Sequence, residues 1–334
     1  MSTTGTDAVP ATGIVVFQPD LPLLRALVDA ALNAGSQVYI FANSPPPDLG
    51  KEAAAGPTWL GDGTNVGQGA GLNAVLRAAH ADGHARMVLF DQDSSPAPSL
   101  WRALASRADT LDKLSSPHAT ADGHALDGPR FGVVAPQLVT PDGEAYLPVR
   151  YQLLPSPNRT VQPAAADHLA ACAVRAVAFA PTSGSCIDIG AWQTVGPFRE
   201  DFFIDAIDVE WGHRARSRGA HTVVATDITM PHRWGQAGAS GAATRATASL
   251  QILRLQPDRL YYTVRNGLYA LRLSHIPRRA RLRQAARLVA QIGVASVAHA
   301  GGASARHALW QAVSDAARSR LGPRASGRGG KKES

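Results

Sequence analysis

The chain has 334 residues, 45% of them hydrophobic, with 33 Lys and Arg against 26 Asp and Glu, a net charge of +7. That length holds one large domain with appendages or two modest ones, and the apolar content excludes a disordered chain. Two cysteines, Cys172 and Cys186, cannot build a disulfide framework or an all-cysteine zinc site, which suits a reducing compartment and implies no redox role.

Residues 1–12 are small and polar, reading as a flexible lead with no secretory signal expected. Gly13 to Phe17 predicts a buried strand. Asp20 ahead of Pro22 predicts a helix cap, with Leu23, Leu24, Leu27, Val28 and Ala31 on the apolar side and Gly35 as the stop. Gln37 to Phe41 predicts a second strand, Thr58-Trp-Leu60 a short third, Gly71 to His80 a helix, and Arg86 to Phe90 a fourth strand ending in Asp91-Gln-Asp-Ser94. Strands separated by helices imply βαβ units and a mostly parallel sheet, with ligands beyond the carboxyl ends of the strands.

In residues 110–172, loops at 118–130 and 155–167 flank a strand over Phe131 to Val139. A strand over Ala173 to Ala180 follows, then the loop Pro181 to Cys186 and a helix around Ile187 to Val195. The acidic stretch 200–219 turns helical and stops at Gly219, and a strand over His221 to Thr226 leads to Met230-Pro-His232. The last 60 residues read as helical and basic, with a disordered end from Pro323. From Ile276 onward, twelve Lys and Arg stand against Asp315 and Glu333, whereas the rest of the chain has 21 basic and 24 acidic residues. A mildly acidic body thus carries a cationic appendage that seeks phosphates on nucleic acid or anionic lipid. The acidic body argues against a nucleic-acid groove. No apolar stretch reaches the roughly 20 residues of a membrane-spanning helix.

Three groups of residues could carry chemistry. Asp91-x-Asp93 at a strand end points two carboxylates the same way, so they can share one divalent cation, although turns and caps use the same spacing. Asp205, Asp208 and Glu210 stand around a helix start, which stabilises an anionic carboxylate that can take a proton from a hydroxyl; capping, with Glu210 paired to Arg214, is the structural alternative. Asn65 to Asn73 carries Gly67, Gly69 and Gly71, which miss the dinucleotide-binding spacing but can let backbone approach a nucleotide. His232 reads as a third metal ligand or a surface histidine.

Taken in order, several segments resemble the family-2 glycosyltransferases of the GT-A fold, specifically the bacterial rhamnosyltransferase branch. They are the first strand with Gln18-Pro-Asp20, Phe41-Ala-Asn-Ser44, the Asn65 to Asn73 loop and Leu89-Phe-Asp-Gln-Asp-Ser94. Thr182-Ser-Gly-Ser185, Val195-Gly-Pro-Phe198, Phe202 to Trp211 with Arg214, and Leu260 to Asn266 continue the series. The resemblance covers about residues 13–270 and implies a Rossmann-like, mostly parallel α/β sheet flanked by helices in a catalytic domain at 13–235. A basic, membrane-associated helical extension at 236–322 and a disordered basic tail at 323–334 would follow.

The resemblance makes Asp208 the catalytic base and Asp91, Asp93 and His232 the ligands of Mg or Mn. Gln18, Asn43, Asn65, Gly67, Asn73, Asp91, Gln92 and Asp93 would bind the nucleotide-sugar, and Ser183, Gly184, Asp205, Glu210 and Trp211 would line the sugar pocket. Two positions depart from the family: Ala42 stands where it has Asp, and Gln18 where it has Asn. The implied reaction is inverting transfer of rhamnose from dTDP-rhamnose to a lipid-linked saccharide, by a cytoplasmic protein held on the inner face of the membrane by its extension. UDP-galactofuranose is the alternative donor. A nucleotidyltransferase would need a basic triphosphate loop after the first strand, and no basic residue precedes Arg25 there.

Overall fold

The computed structural model describes residues 9–47, 56–115, 118–119, 125–126, 130–140, 143, 145, 172–232, 256–298 and 302–325. In chain order the elements begin with β1 (Ala11–Val16), α1 (Leu21–Asn33), β2 (Val38–Ala42), β3 (Thr58–Leu60), α2 (Gln68–Ala81), β4 (Arg86–Asp91) and α3 (Leu100–Ser115). The two-residue strands β5 (His118–Ala119) and β6 (Ala125–Leu126) pair with each other within a region expected to be loop. β7 (Arg130–Val139), β8 (Val174–Val177), β9 (Ser185–Asp188), α4 (Ile189–Val195), α5 (Ile207–Ser217) and β10 (Ala220–Pro231) follow, then α6 (Pro257–Ala270), α7 (Arg278–Ala298) and α8 (Ala303–Ala317).

The main sheet has eight strands in the order β3-β2-β1-β4-β9-β7-β10-β8. Pairs among β1 to β4 are parallel, as is β7 with β10, while β9 runs antiparallel between β4 and β7 and β8 antiparallel at the β10 edge. The result is an α/β sheet whose first half is wholly parallel, which brings the carboxyl ends of β2, β1 and β4 into one row.

Local chemistry explains both the agreements and the departures. Asp20 caps α1 by accepting from Leu23 N at 3.2 Å, and Leu24, Leu27, Val28 and Ala31 are buried; Leu23, expected inside, is 41% exposed. The first strand begins at Ala11 rather than Gly13, because Thr12 is buried with its hydroxyl 2.7 Å from Ser36 Oγ and accepting from Trp101 Nε1 at 2.8 Å. The sequence gives no helix for α3, yet Trp101, Leu104, Ala108 and Leu111 recur on one buried face. Ser185 and Cys186, expected in a loop, and Ile187 and Asp188, expected to start a helix, form β9 instead. Asp188 then caps α4 by accepting from Ala191 N at 2.5 Å.

The chain divides into two compact units, one of residues 1–65, 71–198 and 211–239, the other of 66–70, 199–210 and 240–334. The first holds the sheet. The second has its own core of Leu260, Tyr261, Tyr262, Val264, Ala305 and Leu309, with Phe203 and Ile204 packed against it. The helical extension is thus joined by two short segments from earlier in the chain. The disordered stretch expected from Pro323 does not begin there, since Arg324 is hydrogen-bonded; residues 1–8 and 326–334 lie outside the described residues. Among the described residues, no helix is long and apolar enough to cross a membrane.

Candidate active site

In the sheet unit, the ends of β1, β2 and β4 are tied together by short hydrogen bonds. Gln92 accepts from Phe17 N at 2.8 Å and donates to Phe17 O at 3.1 Å, so its carboxamide braces the β1 loop. Gln18 adopts a left-handed φ of 45°, donates its N–H to Ser44 Oγ at 2.9 Å and is exposed. Asn43 is buried at the end of β2, its N–H on Val16 O at 2.8 Å. The Phe17 ring, 47% exposed beside them, drew no attention in the sequence because it reads as the last residue of an apolar strand.

Beyond β4, the structure gathers the acidic motif with Ser183, Gly184 and His232. Ser183 Oγ lies 2.8 Å from Ser94 Oγ and accepts from Asp91 N at 3.4 Å, and Gly184 N donates to Leu89 O at 2.7 Å. Gly184 has a φ of +77°, and a Cβ there would stand 2.7 Å from Met230 Sδ, so only glycine lets this turn close on the sheet. His232 follows β10 with its N–H on Val139 O at 2.9 Å. Burial lowers its pKa below the ordinary value, while the carboxylates of Asp91 and Asp93 pull the other way. Two carboxylates and a neutral imidazole suit a hard divalent cation that completes its shell with other oxygens. Among the described residues, no group of three or more His, Cys, Asp or Glu side chains could hold a metal by itself.

In the second unit, the acidic loop is strained and clamped. Phe203, Asp205 and Ala206 have φ values of 66°, 65° and 61°, each costing of order 1–3 kcal/mol. Buried Asn266 on α6 holds the loop, its Nδ2 donating to Phe202 O at 2.9 Å, Ile204 O at 2.7 Å and Asp205 O at 3.0 Å. Buried Arg265 beside it donates through Nη2 to Phe202 O at 2.9 Å and Asp201 O at 3.3 Å. Asp205 accepts from Thr263 Oγ1 at 2.7 Å and Arg259 Nη2 at 3.1 Å, so it ties the loop to α6. Glu210 is 1% exposed with Oε1 3.0 Å from His275 Nε2. Asp208 is half-buried in the first turn of α5, where the helix dipole favours its anion, with Oδ1 accepting from Val209 N at 2.8 Å.

No protein-family model matches the chain. The dTDP-rhamnosyl transferase RfbF of Shigella flexneri is 24% identical over 266 residues, covering 79% of this chain and 80% of that protein. The crystal structure of S. aureus TarS 1-349 in complex with UDP-GlcNAc has a TM-score of 0.51 at 10% identity, covering 92% of this chain and 80% of that one. The chain is a glycosyltransferase of the GT-A fold.

Several residues expected to touch ligands in this glycosyltransferase serve its packing. Asn73 is completely buried, its Nδ2 donating to Phe198 O at 2.9 Å and its Oδ1 accepting from Phe198 N at 2.9 Å and Trp192 Nε1 at 3.3 Å, so it does not line the nucleotide. Trp211 is 2% exposed and donates to Gly196 O at 2.9 Å, while Arg214 donates to Val195 O at 2.8 Å and Pro197 O at 2.7 Å. The Val195 to Phe198 turn is therefore held by hydrogen bonds from every side. Gly67 is required by close approach, since a Cβ on it would lie 2.6 Å from Phe203 O; Gly71 likewise would meet Val15 Cγ1 at 2.8 Å. Asn65 remains exposed ahead of α2. Asn73→Ala removes three buried hydrogen bonds and orphans both backbone groups of Phe198. We expect unfolding in urea to show a loss of about 2–4 kcal/mol, with nucleotide binding retained at temperatures where the variant is folded.

Proposed function

We propose that the chain is an inverting family-2 enzyme of the rhamnosyltransferase branch, transferring rhamnose from dTDP-rhamnose to a lipid-linked saccharide in cell-surface polysaccharide assembly. The gathering of Asp91, Asp93 and His232 beyond β4 carries this reading, and the relation to RfbF supports the sugar. Asp208 takes the proton of the acceptor hydroxyl as its oxygen attacks the anomeric carbon; the bond to the diphosphate breaks and dTDP leaves with its electron pair. A bound Mg or Mn, held by Asp93 with Asp91 and His232, would neutralise the charge on the diphosphate. Because the described residues offer an incomplete set of ligands, diphosphate oxygens would complete the shell, so metal and nucleotide bind together. The exposed Phe17 side chain would offer the base an apolar face, and Gln18, Asn43 and Asn65 are the polar residues assigned to the nucleotide side.

The extension supports a second part of the proposal, docking on the anionic inner face of the cytoplasmic membrane. α7 has five Arg and no acidic residue, and Leu282 and Val289, two turns apart on one face, are 71% and 73% exposed. An exposed apolar stripe flanked by arginines is the pattern of a helix lying in a headgroup layer.

Three measurements test these roles. Asp208→Asn should lower the rate of dTDP release from dTDP-rhamnose by at least 100-fold while dTDP affinity stays within about twofold; near-normal turnover would remove Asp208 from the mechanism. In calorimetry with Mg or Mn across a panel of nucleotide-sugars, dTDP-rhamnose should bind most tightly and lose that affinity on chelation or in Asp93→Ala, whereas a preference for UDP-galactofuranose would overturn the branch. Leu282→Gln with Val289→Gln should abolish flotation with phosphatidylglycerol vesicles at unchanged thermal stability, and flotation at the original level would refute the membrane role.

A further inference from the structure

The segment after α8 returns to the acidic loop. Gly322 N donates to Asp201 O at 2.6 Å, and Gly322 O accepts from Arg265 Nη1 at 2.5 Å. A φ of +93° at Gly322 lets one residue present both backbone groups to the loop and its clamp. Two residues later, Arg324 N donates to Tyr262 Oη at 2.7 Å, and its guanidinium meets Asp258 at 2.6 Å and Gln311 Oε1 at 2.9 Å.

Arg265 is therefore shared between two chain segments 121 residues apart, holding Gly322 through Nη1 and the loop through Nη2. The loop has three residues at positive φ and does not hold that shape by local preference; it depends on acceptors and donors brought from outside. Those on α6 are anchored in a helix. The Gly322 amide is supplied by a terminal segment that stays in place through Arg324.

We propose that residues 321–325 are a positioning strap for Asp208: by holding Asp201 and Arg265 they set the loop that feeds the first turn of α5, and so the carboxylate that takes the acceptor proton. This rests on the reading of Asp208 as the base. The strap itself touches no substrate. Its loss lets the loop relax toward ordinary φ values and moves Asp208 away from its productive position, with the sheet unit's nucleotide site unaffected.

The test compares the full chain, a chain ending at Ala325, a chain ending at Arg320, and Arg324→Ala in the full chain. Each is measured for dTDP release from dTDP-rhamnose, dTDP affinity, thermal unfolding and amide hydrogen exchange. The chain ending at Ala325 should match the full chain. The chain ending at Arg320 should turn over at least 10-fold more slowly with dTDP affinity within twofold, and exchange should quicken in residues 200–209. Arg324→Ala should show the same pattern at about 3-fold. Turnover within twofold of the full chain, or unchanged exchange at 200–209, would overturn the proposal. So would a collapse of dTDP affinity and thermal stability in both the chain ending at Arg320 and Arg324→Ala, which would make the segment a general fold element. Should Asp208→Asn keep its turnover, the base assignment fails, while the exchange comparison still decides whether the strap sets the loop.

Discussion

A buried guanidinium that must satisfy all its donors organises the helical unit. Arg265 has five N–H groups, and five acceptors meet them: Asn266 Oδ1, Gly322 O, Tyr261 Oη, Asp201 O and Phe202 O, with the Tyr261 and Tyr262 rings at 5.2 and 5.0 Å. A charge with no exposure survives only if every donor is used. Each hydrogen bond to such a charge contributes about 1.5–3 kcal/mol, enough together to offset the strain of three left-handed residues. One requirement, the burial of a cation, thus fixes the backbone path that leads to Asp208.

The same logic distinguishes the three carboxylates of the loop. Asp205 meets Arg259 and Thr263, and Glu210 meets the His275 imidazole, and such pairing holds geometry. Asp208 lies where a helix begins and accepts from its own neighbour's amide. A helix start stabilises a carboxylate as the anion, the form that accepts a proton from a hydroxyl.

Much of this was legible in the sequence where the signal is local. Asp20 with Pro22 marks the start of α1, and the apolar runs mark β1, β2 and β4. What the sequence hid is long-range. Asn73 looks like a ligand residue because an asparagine in a glycine-rich turn is polar and small, yet its partners lie on Phe198 and Trp192, more than a hundred residues away. The glycines of the same turn mimic a phosphate cradle, but two of them are dictated by contacts with Phe203 and Val15. Ser185 to Asp188 forms a strand because β4 and β7 both pair with it, a neighbourhood that four residues cannot announce. Arg265 and Asn266 lay within a segment of the family resemblance without a role, since their acceptors are backbone groups that leave no mark in sequence.

The charge distribution also changes meaning once partners are known. The excess of twelve basic residues over two acidic ones after Ile276 suggests a uniform cationic tail, but several of these arginines are committed. Arg324 pairs with Asp258, and Arg281 donates to Leu271 O at 3.2 Å. A paired arginine adds little to a long-range field, and one bound to a helix-end carbonyl is fixed in direction. Among the described residues, Arg278, Arg279, Arg283 and Arg287 on α7 are exposed around the apolar pair Leu282 and Val289, and Arg306, Arg318 and Arg320 are exposed on and after α8. Basicity in this extension is therefore divided: part of it knits the helical unit and its strap together, and part of it surrounds the stripe on α7 where apolar surface and positive charge occur side by side.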